Sequence, residues 1–113
     1  MREELQQQLI EQFPKLITEE LYIECGDGWY TLLRHMIQLI DNERSSRDIE
    51  CHILQIKEKL GGLRFYMTGG NYLTDGVIAL GENMSLHICE VCGNAGDTVQ
   101  KGGWIKTRCK QHA

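Results

Sequence analysis

The sequence predicts a small α+β domain, in which two or three helices pack on a β-hairpin and a cysteine-rich knuckle forms the C-terminal end. Three observations support this prediction: apolar residues at helical spacing, an alternating segment around Gly61-Gly62, and three of the five cysteines in the last quarter of the chain. A chain of 113 residues has the size of one domain. We therefore expect a single domain over 1–113, with an acidic helical segment over 1–24, an α/β core over 25–88 and the knuckle over 89–113.

Two helices are predicted in the first half of the chain. Residues 2–13 place leucine, leucine and phenylalanine at i, i+4 and i+8, which is one helical stripe, and Pro14 should end it. Apolar residues continue at helical spacing from about residue 28 to residue 42. Asp27 precedes this second helix and has the right side chain for an N-cap. We expect a polar loop over 42–48.

A β-hairpin and a third helix follow. Residues 49–59 and 63–68 read as two strands joined at Gly61-Gly62, and in that register Glu58 faces Phe65. Glu58 then lies on the apolar face, where we expect it to reach water at the strand end. Apolar residues over 73–88 fit a third helix. The predicted core face of the hairpin consists of Leu54, Ile56, Leu63, Phe65 and Met67.

Two short-spaced pairs near the C-terminus have the spacing of a structural zinc site. Cys89 and Cys92 form a C-x-x-C-G knuckle, and after sixteen intervening residues Cys109 and His112 form a second pair. Tetrahedral Zn²⁺ takes four thiolate or imidazole ligands, and two short-spaced pairs enclose it with little strain. Because four protein ligands close the coordination sphere, we expect one structural Zn²⁺, which completes the fold as a C-terminal zinc knuckle.

The composition and charge exclude several classes of function. Hydrophobic residues make up 42% and charged residues 25%, as in globular proteins, and no apolar run is long enough to cross a membrane. The first four residues lack the apolar stretch of a secretory signal, so we expect a cytoplasmic protein with no membrane partner. A net charge of −4 argues against bulk coating of nucleic acid. The charge is uneven, because residues 1–24 hold two basic and six acidic side chains whereas residues 89–113 hold four and two.

The polar face of the hairpin is the candidate partner surface. A cluster of cations with one aromatic side chain suits phosphate or a carboxylate-rich partner, although strand lysines also protect an exposed edge from aggregation. Trp104 lies among basic residues in a second patch, and it could equally cover the metal. The predicted partner-binding residues are Lys57, Lys59, Arg64, Tyr66 and Trp104.

The two remaining cysteines belong to no pair. Cys25 lies near a helix start, where a thiolate is favoured, so a nucleophile is one interpretation and a plain buried thiol is the other. Cys51 lies in the first strand of the hairpin. A small enzyme using Cys25, Asp27 or Glu58 would lack a nucleophile–base pair and an open metal, so we expect no catalytic activity.

Four segments together resemble a family of small uncharacterised proteins found in bacteria, phages and prophages. The resemblance covers roughly residues 20–113, and it implies a mobile-element origin and supports the zinc ligands. It implies no catalytic residues. The segments are ECGDGW at 24–29, QIKEKLGGLRFY at 55–66, CEVCG at 89–93 and GWIKTRC at 103–109, followed by His112.

These observations predict a small, non-enzymatic, zinc-stabilised binding protein. The resemblance to phage proteins implies that its partner is a host protein, for example a defence or transcription component that binding would inhibit. The alternative is a nucleic-acid-binding zinc module, which rests on the two basic-aromatic patches. The sequence predicts no particular target and no oligomeric state.

Overall fold

The computed structural model describes all 113 residues and has the α+β architecture that the sequence predicts. The helices are α1 (Glu3–Gln12), α2 (Tyr30–Arg47) and α3 (Tyr72–Ser85); the strands are β1 (Ile23–Glu24), β2 (Cys51–Lys59), β3 (Gly62–Gly69), β4 (Asp97–Lys101) and β5 (Trp104–Arg108); two 3-10 turns cover Asp27–Trp29 and Lys110–His112. A three-stranded sheet has the strand order β1-β2-β3, and a separate hairpin, β4-β5, lies near the C-terminus.

Helices α1 and α2 form where the apolar periodicity predicts them, but α2 is longer than expected. It continues to Arg47 and ends at Asp48, whose φ of 52° is left-handed. Arg44 forms an ion pair with Asp41 at 2.9 Å, and the two arginines place positive charge at the end where the helix dipole favours it. The predicted loop over 42–48 is therefore wrong, because charge pairing extends the helix through polar residues.

Asp27 does not cap α2, so that prediction is also wrong. It lies in the 3-10 turn before the helix, and no side chain caps either element. Its carboxylate instead accepts a hydrogen bond from the backbone N–H of Arg2 at 2.8 Å and pairs with the Arg2 guanidinium at 2.7 Å. Asp27 thus joins the beginning of α1 to the turn that precedes α2.

The turn of the β2–β3 hairpin lies one residue earlier than predicted. Leu60 and Gly61 form the loop, and both have positive φ, of 54° and 83°, as in the two-residue turns that suit twisted hairpins. Glu58 consequently pairs with Leu63 and not with Phe65, so the predicted register is wrong by two residues. A shift of two preserves side-chain parity, and for this reason the predicted core face is still largely the buried one.

A β-bulge in β2 removes Leu54 from that face. The register shifts between Ile53 and Gln55, which leaves Leu54 exposed and turns Ile53 into the core. Met67 lies opposite Ile53 and is partly buried. The prediction that Leu54 belongs to the core is wrong, because it assumed strict period-2 alternation along β2 and the bulge inserts one extra residue.

Helix α3 confirms the third predicted helix and covers the outer edge of β3. The Ser85 hydroxyl accepts a hydrogen bond from the N–H of Leu63, and the Glu82 carboxylate accepts one from the N–H of Phe65, each at 2.9 Å. These bonds satisfy strand amides that an exposed edge would leave unpaired. As a result, polar residues of α3 face the sheet and much of its apolar stripe faces solvent.

One hydrophobic core holds the α1, α2 and sheet elements together. Eighteen buried residues form it, and they extend from Leu9 in α1 to Phe65 in β3. The parallel pairing of β1 with β2 sets Ile23 beside Ile56 at its centre, where neither is exposed. None of the helices has the length and hydropathy that a membrane crossing requires.

Candidate metal centre

The structure brings together all four residues that the spacing predicts as metal ligands. The ligand atoms of Cys89, Cys92, Cys109 and His112 lie within 4.8 Å of one another. The sulfur atoms of Cys92 and Cys109 are 3.7 Å apart, and His112 Nδ1 lies 3.1 Å from the Cys109 sulfur and 3.8 Å from the Cys89 sulfur. All five cysteines of the chain are free thiols, so no disulfide competes for these sulfurs.

These separations fit a tetrahedral metal ion. With metal–sulfur bonds of about 2.3 Å, two thiolates at tetrahedral angles lie about 3.8 Å apart, and a thiolate and an imidazole nitrogen lie about 3.5 Å apart. The observed sulfur–sulfur distance of 3.7 Å is close to the first value, and the sulfur–nitrogen distances of 3.1 and 3.8 Å lie on either side of the second. The four residues could therefore hold one ion with little movement.

The environment of Cys89 favours the thiolate that metal binding requires. Burial opposes ionisation of this thiol, but the backbone N–H groups of Cys109, Cys92 and Val91 face the sulfur and lower its pKa to about 6. The amides of Val91 and Cys92 belong to a turn that ends at Gly93, which has a φ of 83° and donates its N–H to the Cys89 carbonyl at 2.9 Å. Glycine adopts this left-handed conformation without strain.

Glu90, between the first two ligands, ties the knuckle to the rest of the fold. Its carboxylate accepts a hydrogen bond from the N–H of Gly26 at 2.8 Å and forms an ion pair with Arg108 at 3.2 Å. Its carbonyl accepts a hydrogen bond from the N–H of Gly28 at 2.8 Å. The residue pattern around Glu90 does not predict this role, although two glycines within three residues, Gly26 and Gly28, are a signal for close backbone approach.

The segment before α2 also supports the chain just ahead of the first ligand. Trp29 is fully buried, and its Nε1–H donates to the carbonyl of Ile88 at 2.9 Å. A Cβ on Gly28 would overlap the carbonyl of Cys89 and lie 2.6 Å from the carbonyl of Glu90. The segment around Trp29 and the knuckle are thus in direct backbone contact.

The second hairpin anchors the other ligand pair to the turn of the first hairpin. The buried Thr107 hydroxyl donates to the carbonyl of Gly61 at 2.6 Å. Glu58 pairs with Lys106 at 3.1 Å and also accepts the N–H of Gly61 at 2.9 Å. Glu58 therefore does not extend into water as expected, because a cation from β5 and a turn amide satisfy it.

Four of the five predicted partner-binding residues share the polar face of the β2–β3 hairpin. Lys57 is paired directly with Arg64, Lys59 follows on the same face, and Tyr66 lies opposite Gln55 and is exposed. None of the three cations forms an ion pair within the chain. Glu24 of β1 is the register neighbour of Lys57, so this face presents three cations and one carboxylate beside one aromatic ring.

Trp104 lies on the other hairpin, at the start of β5. Its side chain is 70% exposed, and the ammonium of Lys106 lies 5.5 Å from the ring centroid, within cation–π range. Lys101 is its cross-strand partner. The tryptophan is therefore largely a surface residue and does not form a buried cover over the metal site.

The two remaining cysteines, Cys25 and Cys51, are buried in the core and do not belong to the ligand cluster. Burial, reinforced by the negative charge of Glu90, raises the pKa of Cys25 to about 12, and burial likewise raises the pKa of Cys51. Both thiols are accordingly protonated at neutral pH. A buried, protonated thiol lacks the nucleophilicity of a catalytic cysteine.

Fold and site together define a small α+β protein with a candidate Cys₃His metal centre. Comparison with protein-family models, with curated proteins and with solved structures gave no match to this chain.

Proposed function

We propose that the chain is a small, zinc-stabilised binding protein that has no catalytic activity. The convergence of three thiols and one imidazole within 4.8 Å is the observation that supports this proposal. Thiolate and imidazole ligands in a tetrahedron suit Zn²⁺ better than the oxygen-seeking cations. Four protein ligands leave no coordination position for a substrate, so the ion would be structural.

The position of the site supports a stabilising role. The first ligand pair is held against the segment around Trp29, and the strand that leads to the second pair is held against the turn at Gly61. A metal that joins the two pairs would therefore fasten three distant parts of the chain to one another. Its binding free energy would add to the free energy of folding.

The polar face of the β2–β3 hairpin is the proposed contact surface. Lys57, Lys59 and Arg64 form no ion pair within the chain and outnumber the one neighbouring carboxylate, Glu24, so a carboxylate-rich or phosphate-bearing partner would gain charge-assisted hydrogen bonds there. The resemblance to proteins of phages and prophages favours a host protein in the bacterial cytoplasm as that partner. Binding would then block a surface that the host protein needs.

Metal analysis tests the first part of the proposal. Protein purified without added metal should contain one Zn²⁺ per chain, and replacement by Co²⁺ should give the visible absorption of a tetrahedral thiolate site. If zinc-free protein unfolds with the same cooperativity and at the same temperature as the purified protein, the structural role is refuted.

Charge reversal tests the second part. The double variant Lys57→Glu and Arg64→Glu should lose the partner that the wild-type chain captures from a bacterial lysate, as identified by mass spectrometry. Its metal content and thermal stability should stay nearly unchanged, because surface substitutions usually cost no more than about 0.5 kcal/mol. Lys15→Glu reverses an exposed cation outside the hairpin and is the control. Equal capture by the double variant and the control would contradict the proposed surface.

A nucleic-acid-binding module is the second candidate, and the exposed Trp104 beside Lys106 favours it. An exposed ring with neighbouring cations can stack on a base while the cations contact phosphate. Binding to short single-stranded DNA or RNA should then weaken steeply as salt rises, and Trp104→Ala should abolish it. Absence of salt-dependent binding would eliminate this candidate.

A further inference from the structure

An open apolar groove lies between α2 and α3 and reaches the metal knuckle. Its volume is about 690 Å³, and eleven of its eighteen lining residues are hydrophobic. Leu39 of α2 and Leu80 of α3 line its two walls, and Val91 and Cys92 of the knuckle contribute to its lining. The groove is separate from the polar face of the hairpin that forms the proposed contact surface.

The apolar side of α3 has the spacing of a helix-packing seam. Leu73, Val77, Leu80 and Met84 follow one another at intervals of four, three and four residues, which is the a/d spacing of a coiled coil. The sheet does not use this seam, because Ser85 and Glu82 face the edge of β3 instead. A helix laid along the groove would bury it.

Exposed large apolar side chains are concentrated on this flank of the molecule. Scattered exposed leucines are normal in proteins, whereas contiguous apolar surface marks an interaction site. Half of the twelve large hydrophobic residues that the chain exposes belong to α3, to the adjoining turn of α2 or to the knuckle. They are Leu39, Tyr72, Leu73, Leu80, Met84 and Val91.

The charges around the groove favour an acidic occupant. Asp27 is the one carboxylate in its lining, and Arg2 neutralises it at 2.7 Å. His35 also lines the groove. Arg34 lies beside the lining, with its guanidinium 3.1 Å from the His35 ring, and it forms no ion pair. A second copy of the chain would place its own Arg34 opposite the first, because a two-fold interface repeats one surface. This repulsion disfavours a second copy as the occupant of the groove.

We infer that this groove binds an amphipathic α-helix of a partner protein, with apolar residues at i, i+3 or i+4 and i+7 and carboxylates along one flank. Helix-in-groove binding of this kind is a common mode of peptide recognition, in which apolar anchors provide the affinity and flanking charges provide the orientation. The inference rests on the proposed binding function and adds the chemical class of the partner.

Selection from a displayed library of helical peptides tests the inference, with the full, metal-loaded chain as bait. The enriched peptides should have apolar residues at heptad spacing and an excess of Asp and Glu. Leu80→Glu should weaken their binding by about tenfold or more, since it places a carboxylate within the groove. Leu54→Glu is the matched control, because Leu54 is 60% exposed on the sheet and Leu80 is 61% exposed on α3. Arg34→Glu should weaken the binding of the acidic peptides and strengthen the binding of the same peptides with Glu→Lys substitutions.

Three outcomes would overturn the inference. The first is a selection that enriches no helical sequence, and the second is equal binding by the Leu80 and Leu54 variants. The third is a dimer in sedimentation that Leu80→Glu dissociates, since a second copy would then fill the groove. If the Leu80 variant still binds the selected peptides but Lys57→Glu with Arg64→Glu loses the captured host protein, the groove assignment fails and the proposed function stands.

Discussion

The substitution Gly28→Ala probes the contact between the knuckle and the segment before α2. The added Cβ would overlap the carbonyl of Cys89 and lie 2.6 Å from the carbonyl carbon and oxygen of Glu90. Real Cβ contacts are not shorter than about 3 Å, and these neighbours are backbone atoms that no rotamer change can move aside. The knuckle itself must therefore shift.

The expected loss of stability follows from two destabilising terms and one stabilising term. The shift breaks the hydrogen bond from the N–H of Gly28 to the Glu90 carbonyl, now 2.8 Å long, which contributes about 1 kcal/mol. Forcing an extra methyl group into a packed site costs about 1–3 kcal/mol. Alanine restricts the unfolded chain and returns up to about 1 kcal/mol. The net destabilisation should be about 2 kcal/mol.

Urea unfolding at a fixed zinc concentration, together with competition against a coloured chelator, measures both consequences. Gly76→Ala is the control, because a Cβ there meets nothing within 4 Å and alanine favours the helix. Gly76→Ala should stabilise the protein by about 0.4–1 kcal/mol and leave the zinc affinity unchanged. If Gly28→Ala unfolds at the same urea concentration as the wild type and binds zinc equally well, the proposed support of the knuckle is wrong.

Two further predictions concern the cysteines. Cys92→Ala should lose the metal and much of the stability, whereas Cys51→Ala should keep one metal per chain; equal metal content in the two variants would contradict the assigned ligands. The pKa of Cys25 rises from 9.0 to about 12 on folding, so the unfolded thiol ionises first as the pH increases, and stability should fall from pH 9 towards pH 12. In Cys25→Ala this fall should be shallower, which chemical unfolding at pH 8 and pH 10.5 would measure; identical slopes would refute the raised pKa.

The sequence by itself determined the features that depend on local spacing. Apolar residues at helical intervals located all three helices, because a helix shows its periodicity within a few turns. The alternating segment located the β2–β3 hairpin and its buried face, since even an error of two residues in register preserves parity. The two ligand pairs were recognisable because the geometry of a metal site restricts the spacing within each pair.

The sequence failed where a residue's role depends on a partner far along the chain. Asp27 has the side chain of an N-cap, yet Arg2 takes its carboxylate. The position of Glu58 at the end of a strand predicts a solvated carboxylate, yet this carboxylate forms an ion pair with Lys106 of the other hairpin. Helix propensity and strand parity contain no information about such contacts, so only the folded chain could assign them.

Tertiary structure also decided which face of α3 is buried. Its periodicity indicates a leucine-rich stripe that would normally face a core, and the helix forms as predicted. The edge of β3, however, requires hydrogen-bond acceptors, which Ser85 and Glu82 supply from the other side of the helix. Because unpaired strand amides are costly, α3 turns its polar side towards the edge, and this orientation exposes the stripe and creates the groove.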